Sequence, residues 1–465
     1  MLLKNKIITT LSFIICIINS GCKKLVHIGE PVNTITSAEA FNNENTATSA
    51  VLGIYNSLDP LNLSFGNGEI TLYCGLSSDE LNFFDETDIY TMEFEKNTLD
   101  QTNYFITPFW TPAYSAVYRA NAAIEGLEAS STISNKTKNQ LLGEAKFLRG
   151  FCTFYLTNLF GDIPLITTTA WAQTASMGRT SQTKVYQQII GDLNDAENLL
   201  PDDYSISGGA RTRVNKWAAS ALLARTYLYI GKWDSAEYFS TSVINNTNTY
   251  KLSSDLNQVF KANSTEAIWQ LETYNTYPYA TIEGSRIIPY DSTVNPDFYL
   301  TKQLLASFET GDLRKIAWVD SSSYSGIYYY YPFKYKVRVG SQDNIVENYT
   351  VLRLAEQYLI RAEARAHQGN NLIGAEDDLN VIRMRSGLSA TNPTNQTDLL
   401  TAVYHERQIE LFSEWGHRWL DLKRTGQANS ILKPIKSHWT DNAQLYPIPY
   451  SEIKLSPTLK QNPGY

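Results

Sequence analysis

The residues equipped for chemistry in this chain are carboxylates and aromatic rings. Asp79, Glu80, Asp85 and Glu86 crowd into one short stretch, and a glycosidase needs two acids about 5–9.5 Å apart. Acid-rich loops are more often solvated surface, and nothing else in the sequence completes a catalytic set. It contains no HExxH, no G-x-S-x-G, no phosphate-binding loop and no C-x-x-C pair. The five histidines, His27, His367, His405, His417 and His438, never recur at the four-residue spacing of helical metal ligands. The sequence therefore predicts no catalytic residue, no metal and no cofactor.

The rings make the better site. The chain carries 30 tyrosines and 9 tryptophans, more than a core needs, because a buried phenol must find a partner for its hydroxyl. Sugars present apolar C–H faces that lie flat on indole and phenol rings, while amides, acids and arginines bind the hydroxyls. Tyr274-Asn275-Thr276-Tyr277-Pro278-Tyr279 has that mixture, as do Trp318 through Tyr324 and the run Tyr328–Tyr331. Phe83-Phe84-Asp85 and Tyr90 form a smaller group. The candidate ligand contacts are thus Phe84, Tyr90, Tyr274, Tyr277, Tyr279, Trp318, Tyr324 and Tyr328. A single tyrosine in such a place more often caps a helix or borders a strand, so the set carries the expectation.

The elements that must hold these rings are helical. Leu141, Ala145, Leu148, Cys152, Tyr155 and Leu159 step by four and three, the period of one helix face. Val185–Leu200, Trp217–Leu228 and Leu352–Ala366 repeat the pattern. Ala224, Tyr227, Gly231, Ala236 and Val243 have the spacing of a tetratricopeptide unit, and Ala362, Gly369, Ala375 and Leu379 repeat it. Small residues let two helices approach, glycine turns the chain between them, and stacking buries the face that one hairpin leaves open. The expected fold is predominantly α: a right-handed stack of tetratricopeptide-like helix pairs over about 37–58, 112–246 and 350–424, with a few short β-strands. Long irregular insertions, about 60–108 and 247–340, carry the rings, with β-like runs at Glu266–Leu271 and Tyr328–Val339.

The N-terminus has a basic start (Lys4, Lys6), an apolar run from Ile7 to Ile18, small residues at Ser20-Gly21, and then Cys22. This reads as a cleaved signal over 1–21, with Cys22 as a lipidated first residue and 22–465 as a single domain. Removing 1–21 leaves 37 basic residues against 47 acidic, a formal charge of −10. That balance disfavours nucleic acid as a partner, since its phosphates are bound by lysine and arginine. Cys152 falls in an apolar helix stripe, which favours a buried free thiol over pairing with Cys74.

Several stretches, in order along the chain, resemble the SusD/RagB family of outer-membrane nutrient-binding lipoproteins. They are Cys22-Lys-Lys-Leu25 with Pro31, and Tyr114-x-x-Val117-Tyr118-Arg119-Ala120-Asn121. Gly143–Phe151 follows, leading into Tyr155–Leu165 through Gly161-Asp162-Ile-Pro164, and then Asn215–Arg225. The last are Glu406-Arg407 with Glu410-Leu411, Glu414–Arg424, Pro447-Ile-Pro449 with Glu452-Ile453, and Gln461–Tyr465. The resemblance implies a non-catalytic lipoprotein of the cell outer membrane that holds glycan, or in some members peptide, against a SusC-like TonB-dependent transporter. It implies that the ligand site lies in the two insertions. Lys23-Lys24-Leu25-Val26-His27 lacks the acids that often mark surface display, so a periplasm-facing anchor stays open beside the exterior-facing one. A helical-repeat adaptor that binds a protein partner is the alternative from another class. On sequence, Glu406, Arg407, Glu410, Glu414 and Arg418 read as one helix face of mutually supporting charges, or, partly buried, as a network that fixes how the helix docks.

Overall fold

The computed structural model describes residues 37–58, 64–273 and 276–465. Cys22 and Tyr274 lie outside the described residues. Helices dominate, and the principal ones are α1 (Glu44–Leu58), α2 (Thr107–Ala129), α3 (Asn135–Phe160), α4 (Gln182–Leu199), α5 (Lys216–Tyr229), α6 (Trp233–Ile244), α7 (Leu354–Gln368), α8 (Leu372–Arg385), α9 (Gln396–Glu410) and α10 (His417–Arg424). From α1 to α8 each packs chiefly on the helix before and the helix after it, and α6 meets α7 across the long second insertion. This is the tetratricopeptide-like stack that the periodicity predicts. Gly231 and Gly369, at the turns after α5 and α7, have φ of 66° and 73°, a left-handed conformation that glycine adopts without a Cβ penalty.

Capping residues mark where the helices start. Asn215 accepts from the Ala218 amide, Asn371 from Gly374 and Asn395 from Asp398, each satisfying a donor that the first turn leaves unpaired. The stack buries a continuous core in which Phe151, Trp269 and Trp415 meet edge to face, with centroids 5.0 and 5.6 Å apart. Cys74 and Cys152 are both buried free thiols.

The strands come in antiparallel pairs: β1 (Leu81–Phe83) with β3 (Phe298–Leu300), β2 (Ala267–Leu271) with β6 (Tyr349–Arg353), and β4 (Val319–Tyr324) with β5 (Ile327–Pro332). The β-like run from Tyr328 stops at Pro332, short of Val339.

Two sequence expectations are corrected. Residues 60–108 do contain helix: Glu69–Ser77 and Ile89–Lys96. All nine residues of Glu69–Ser77 are buried, so it has no solvent face and no amphipathic period to read. The late charged run is not one helix either. It breaks after Glu410, with Ser413, Trp415 and Gly416 at φ of 50°, 45° and 68° before α10 begins. A Cβ on Gly416 would stand 2.9 Å from the Cβ of Cys74, so glycine is what lets the chain turn here.

The charges around that break form a buried network, the second of the two readings the sequence offers. Arg353 binds Glu266 at 3.0 Å, Glu410 at 2.6 Å and Glu414 at 2.7 Å. Arg314 binds Asp312 at 2.9 Å, Glu406 at 2.6 Å and Glu410 at 2.9 Å. Arg385 completes the contacts to Glu266 and Glu410. Burial alone would raise the Glu410 carboxyl, but the guanidiniums of Arg385, Arg353 and Arg314 hold it well below the usual range. The network joins both ends of the second insertion to α8 and α9.

Candidate functional site

The second insertion folds its tyrosine run into the hairpin β4–β5. Ser325 and Gly326 form a two-residue turn with φ of 52° and 80°. Positive φ at both positions gives the twist that a tight hairpin requires. Pairing sets Asp320 opposite Tyr331, Ser322 opposite Tyr329, and Tyr324 opposite Ile327 on one face. Ser321 opposite Tyr330 and Ser323 opposite Tyr328 make the other face.

The first face packs down at Ser322, Tyr329 and Tyr331, while Tyr324 and Ile327 beside the turn stay 42% and 57% exposed. Tyr329 meets Tyr299 of β3 with centroids 5.2 Å apart, and Phe84 stands edge-on to Tyr329 at 5.4 Å and to Tyr324 at 5.8 Å. Phe84 is held by its amide, which donates to the Asp297 carbonyl and continues the β1–β3 pairing. The two insertions, far apart in sequence, therefore meet in one ring cluster.

The second face is open. Tyr328 is 65% exposed and Tyr330 41%, and residues i and i+2 on one strand face lie about 6.6–6.8 Å apart. Their cross-strand neighbours are serines, which leave the rings uncovered and add hydroxyls beside them. This is a shallow platform of two phenols with polar groups alongside, suited to stacking and hydrogen bonding.

Further rings border it. The Ser323 amide donates to the Ser292 carbonyl at 2.8 Å, tying the loop that carries Tyr290 to the edge of β4. Tyr290 is 79% exposed, with the Arg338 guanidinium 5.5 Å from its centroid. Tyr277, exposed, and Tyr279, half-buried, stand edge to face at 6.4 Å, and the Gly340 amide donates to the Pro278 carbonyl beside them. Ile282–Ile287 links this loop to Tyr290. Its Glu283 accepts from the Thr71 hydroxyl at 3.1 Å, and burial pushes the Glu283 carboxyl up to about 7.

The structure brings Phe84 and Tyr324 into contact on one face of the hairpin and puts Tyr328 on the opposite, open face, with Tyr277 and Tyr279 on neighbouring loops. Tyr90 is exposed but turns to Tyr104, 4.8 Å away, beside the start of α2. Trp318 is a correction. It is 0% exposed, its Nε1 donates to the Leu256 carbonyl at 3.0 Å, and its ring has the Lys334 ammonium at 4.6 Å and the Arg353 and Arg385 guanidiniums at 5.9 and 5.8 Å. A ring occupied by core cations presents no face to a ligand. Lys334, just beyond β5, donates to the Glu410 carbonyl and pairs with Glu414, which fixes the root of the hairpin.

The acids of the first insertion separate as well. Asp79 binds Arg418 at 2.7 Å, and burial pushes the Glu80 carboxyl up to about 8. Asp85 is exposed and accepts from Thr87. Sequence reasoning missed Tyr290 and Tyr299, and placed Tyr330 in the candidate run Tyr328–Tyr331 without naming it as a contact. Tyr330 was legible as the i+2 neighbour of Tyr328, whereas Tyr290 and Tyr299 stand singly and no sequence signal marks them.

Comparison with known proteins completes the description. A family model described as starch-binding and associating with the outer membrane matches residues 54–228, and the SusD family model matches 238–465. SusD-like protein P2 of Formosa agariphila is 27% identical over 96% of this chain and 97% of its own. Among solved structures, a SusD superfamily protein from Bacteroides vulgatus superposes with a TM-score of 0.80 at 23% identity, covering 91% of this chain and 99% of that one. A laminarin-binding SusD-like protein gives 0.75 at 25% identity, covering 91% and 100%.

Proposed function

From the premise that the chain belongs to the SusD/RagB family, we propose that it is a non-catalytic carbohydrate-binding lipoprotein of the outer membrane. It captures oligosaccharide or polysaccharide on the Tyr328–Tyr330 face and delivers it to a SusC-like TonB-dependent transporter. The observation that carries this reading is the solvent-open pair of rings on a hairpin whose reverse face packs on the scaffold through Tyr329. A laminarin-binding relative of the same fold supports carbohydrate as the ligand class. Rings held rigid before binding lose little entropy when a sugar stacks on them. Cys22 supplies the tether, testable by lipid labelling, and in this reading the tethered platform faces the cell exterior beside the transporter.

Delivery without bond cleavage demands modest affinity, since a tight complex would not release its cargo. The test is calorimetric titration of the mature chain with a panel of polysaccharides, alongside a Tyr328→Ala/Tyr330→Ala double variant. Each stacked ring contributes about 0.5–1.5 kcal/mol, so the double variant should bind roughly 5- to 150-fold more weakly, with unchanged circular dichroism. Silence toward every glycan with a response to peptides would change the ligand class. Unaltered glycan binding by the double variant would move the site off the hairpin.

A further inference from the structure

The sequence offers Phe84 as a ligand contact, but its surroundings give it a different part. The backbone on both sides of it is fixed without the hairpin. Upstream, Phe83 pairs with Phe298 in the β1–β3 ladder, their ring centroids 5.1 Å apart, and its amide donates to the Glu95 carboxylate at 2.6 Å. Phe84 itself donates to the Asp297 carbonyl at 2.9 Å. Downstream, the Asp85 side chain accepts from the amide and hydroxyl of Thr87 at 3.0 and 2.6 Å. Asp88 then caps the helix Ile89–Lys96 by accepting from the Tyr90 and Thr91 amides. The Phe84 ring therefore projects from a backbone that is anchored before and after it.

That ring meets both strands of the hairpin. It stands edge-on to Tyr324 of β4 and to Tyr329 of β5, with interplanar angles of 86° and 77°. Tyr299 of β3 gives Tyr329 a second edge-to-face partner, at 83°. Such pairs set an orientation as well as a contact, because the ring edge is positive and the face negative. Successive side chains on a strand point to opposite faces, so holding Tyr329 inward aims its two neighbours outward. Those neighbours are Tyr328 and Tyr330.

We propose that Phe84 is a positioning residue for the platform. It touches no cargo and acts through Tyr329, holding Tyr328 and Tyr330 in the orientation that binds. The inference rests on the carbohydrate reading only for its consequence: the first insertion governs glycan affinity through a ring on the reverse face of the hairpin.

Hydrogen exchange of the mature chain, followed peptide by peptide without ligand, tests the role directly. Phe84→Ala removes both edge contacts and should speed exchange of the β4–β5 amides roughly 5- to 150-fold, while α5 to α7 exchange as in the parent. Phe84→Tyr keeps the ring and should restore the parental rate. Phe84→Leu keeps bulk without a ring edge, should fall between, and carries the test if Phe84→Ala does not fold. In titrations with starch and laminarin, Phe84→Ala should bind several-fold more weakly and Phe84→Tyr as the parent does. Unchanged hairpin exchange in Phe84→Ala overturns the proposal, and if glycan affinity falls all the same, Phe84 is a ligand contact instead. Faster exchange with parental glycan affinity overturns it as well. Faster exchange in the variant, with a parent that ignores both polysaccharides, upholds the positioning of the rings and counts against the carbohydrate reading.

Discussion

At the scale of single residues, rings of one chemical type divide into three uses. Trp318 is core, Phe84 and Tyr329 are support, and Tyr328 and Tyr330 are open surface. Trp318→Ala should therefore act on stability and not on ligand contact. Emptying a fully buried indole site costs about 3–5 kcal/mol, visible as a lower urea midpoint. Glu283 offers a sharper test, because its carboxyl is raised to about 7 from an ordinary value near 4.5. A raised acid contributes stability that is fully present below its unfolded pKa and is lost as the pH rises through its folded one. Glu283→Gln should match the parent near pH 4 and become more stable than it above pH 7, by up to about 3 kcal/mol. Thermal melts of both proteins across pH 4–8.5 read this difference, and parallel curves would remove the assignment.

At the scale of elements, the hairpin is only as well placed as its root. Arg314 and Lys334 flank β4–β5 in sequence and both reach the carboxylates or carbonyls around α9. Arg353 ties β6 to the same residues. Removing one partner of a buried ion pair costs about 3–5 kcal/mol, and without Arg353 the carboxylates of Glu266, Glu410 and Glu414 would share only Arg385, Arg314 and Lys334. Arg353→Met should destabilise the chain by that order in denaturant unfolding, and a loss below 1 kcal/mol would show that the carboxylates find other partners. The break before α10 makes a second test. Gly416→Ala forces a Cβ into a left-handed backbone and against Cys74, so it should cost at least about 1 kcal/mol.

At the scale of the whole molecule, a stack of helices carries irregular insertions and joins two of them in one ring cluster. In the proposed role the scaffold is rigid and tethered, so Cys22 governs location and not affinity. Cys22→Ala should move the protein from the membrane fraction to the soluble one on fractionation, while polysaccharide titration of the purified chain stays unchanged.

The helical stack was legible because a one-sided helix leaves a period in the sequence, and the turn glycines Gly231 and Gly369 announce themselves between such periods. The zone of the rings was legible from composition, and the family from ordered motifs along the chain. Glu69–Ser77 was not, since a helix buried all round has no period. Nor was the break at Ser413–Gly416, where contact with Cys74 decides the backbone. Which rings face solvent was also hidden. Trp318 and Tyr328 lie in the same aromatic-rich segment, yet one is surrounded by cations drawn from α8, β6 and the end of β5 while the other projects from the free side of a hairpin. Local chemistry fixes what a residue is able to do, but its exposure is set by partners distant in sequence, and only the folded chain brings those partners together.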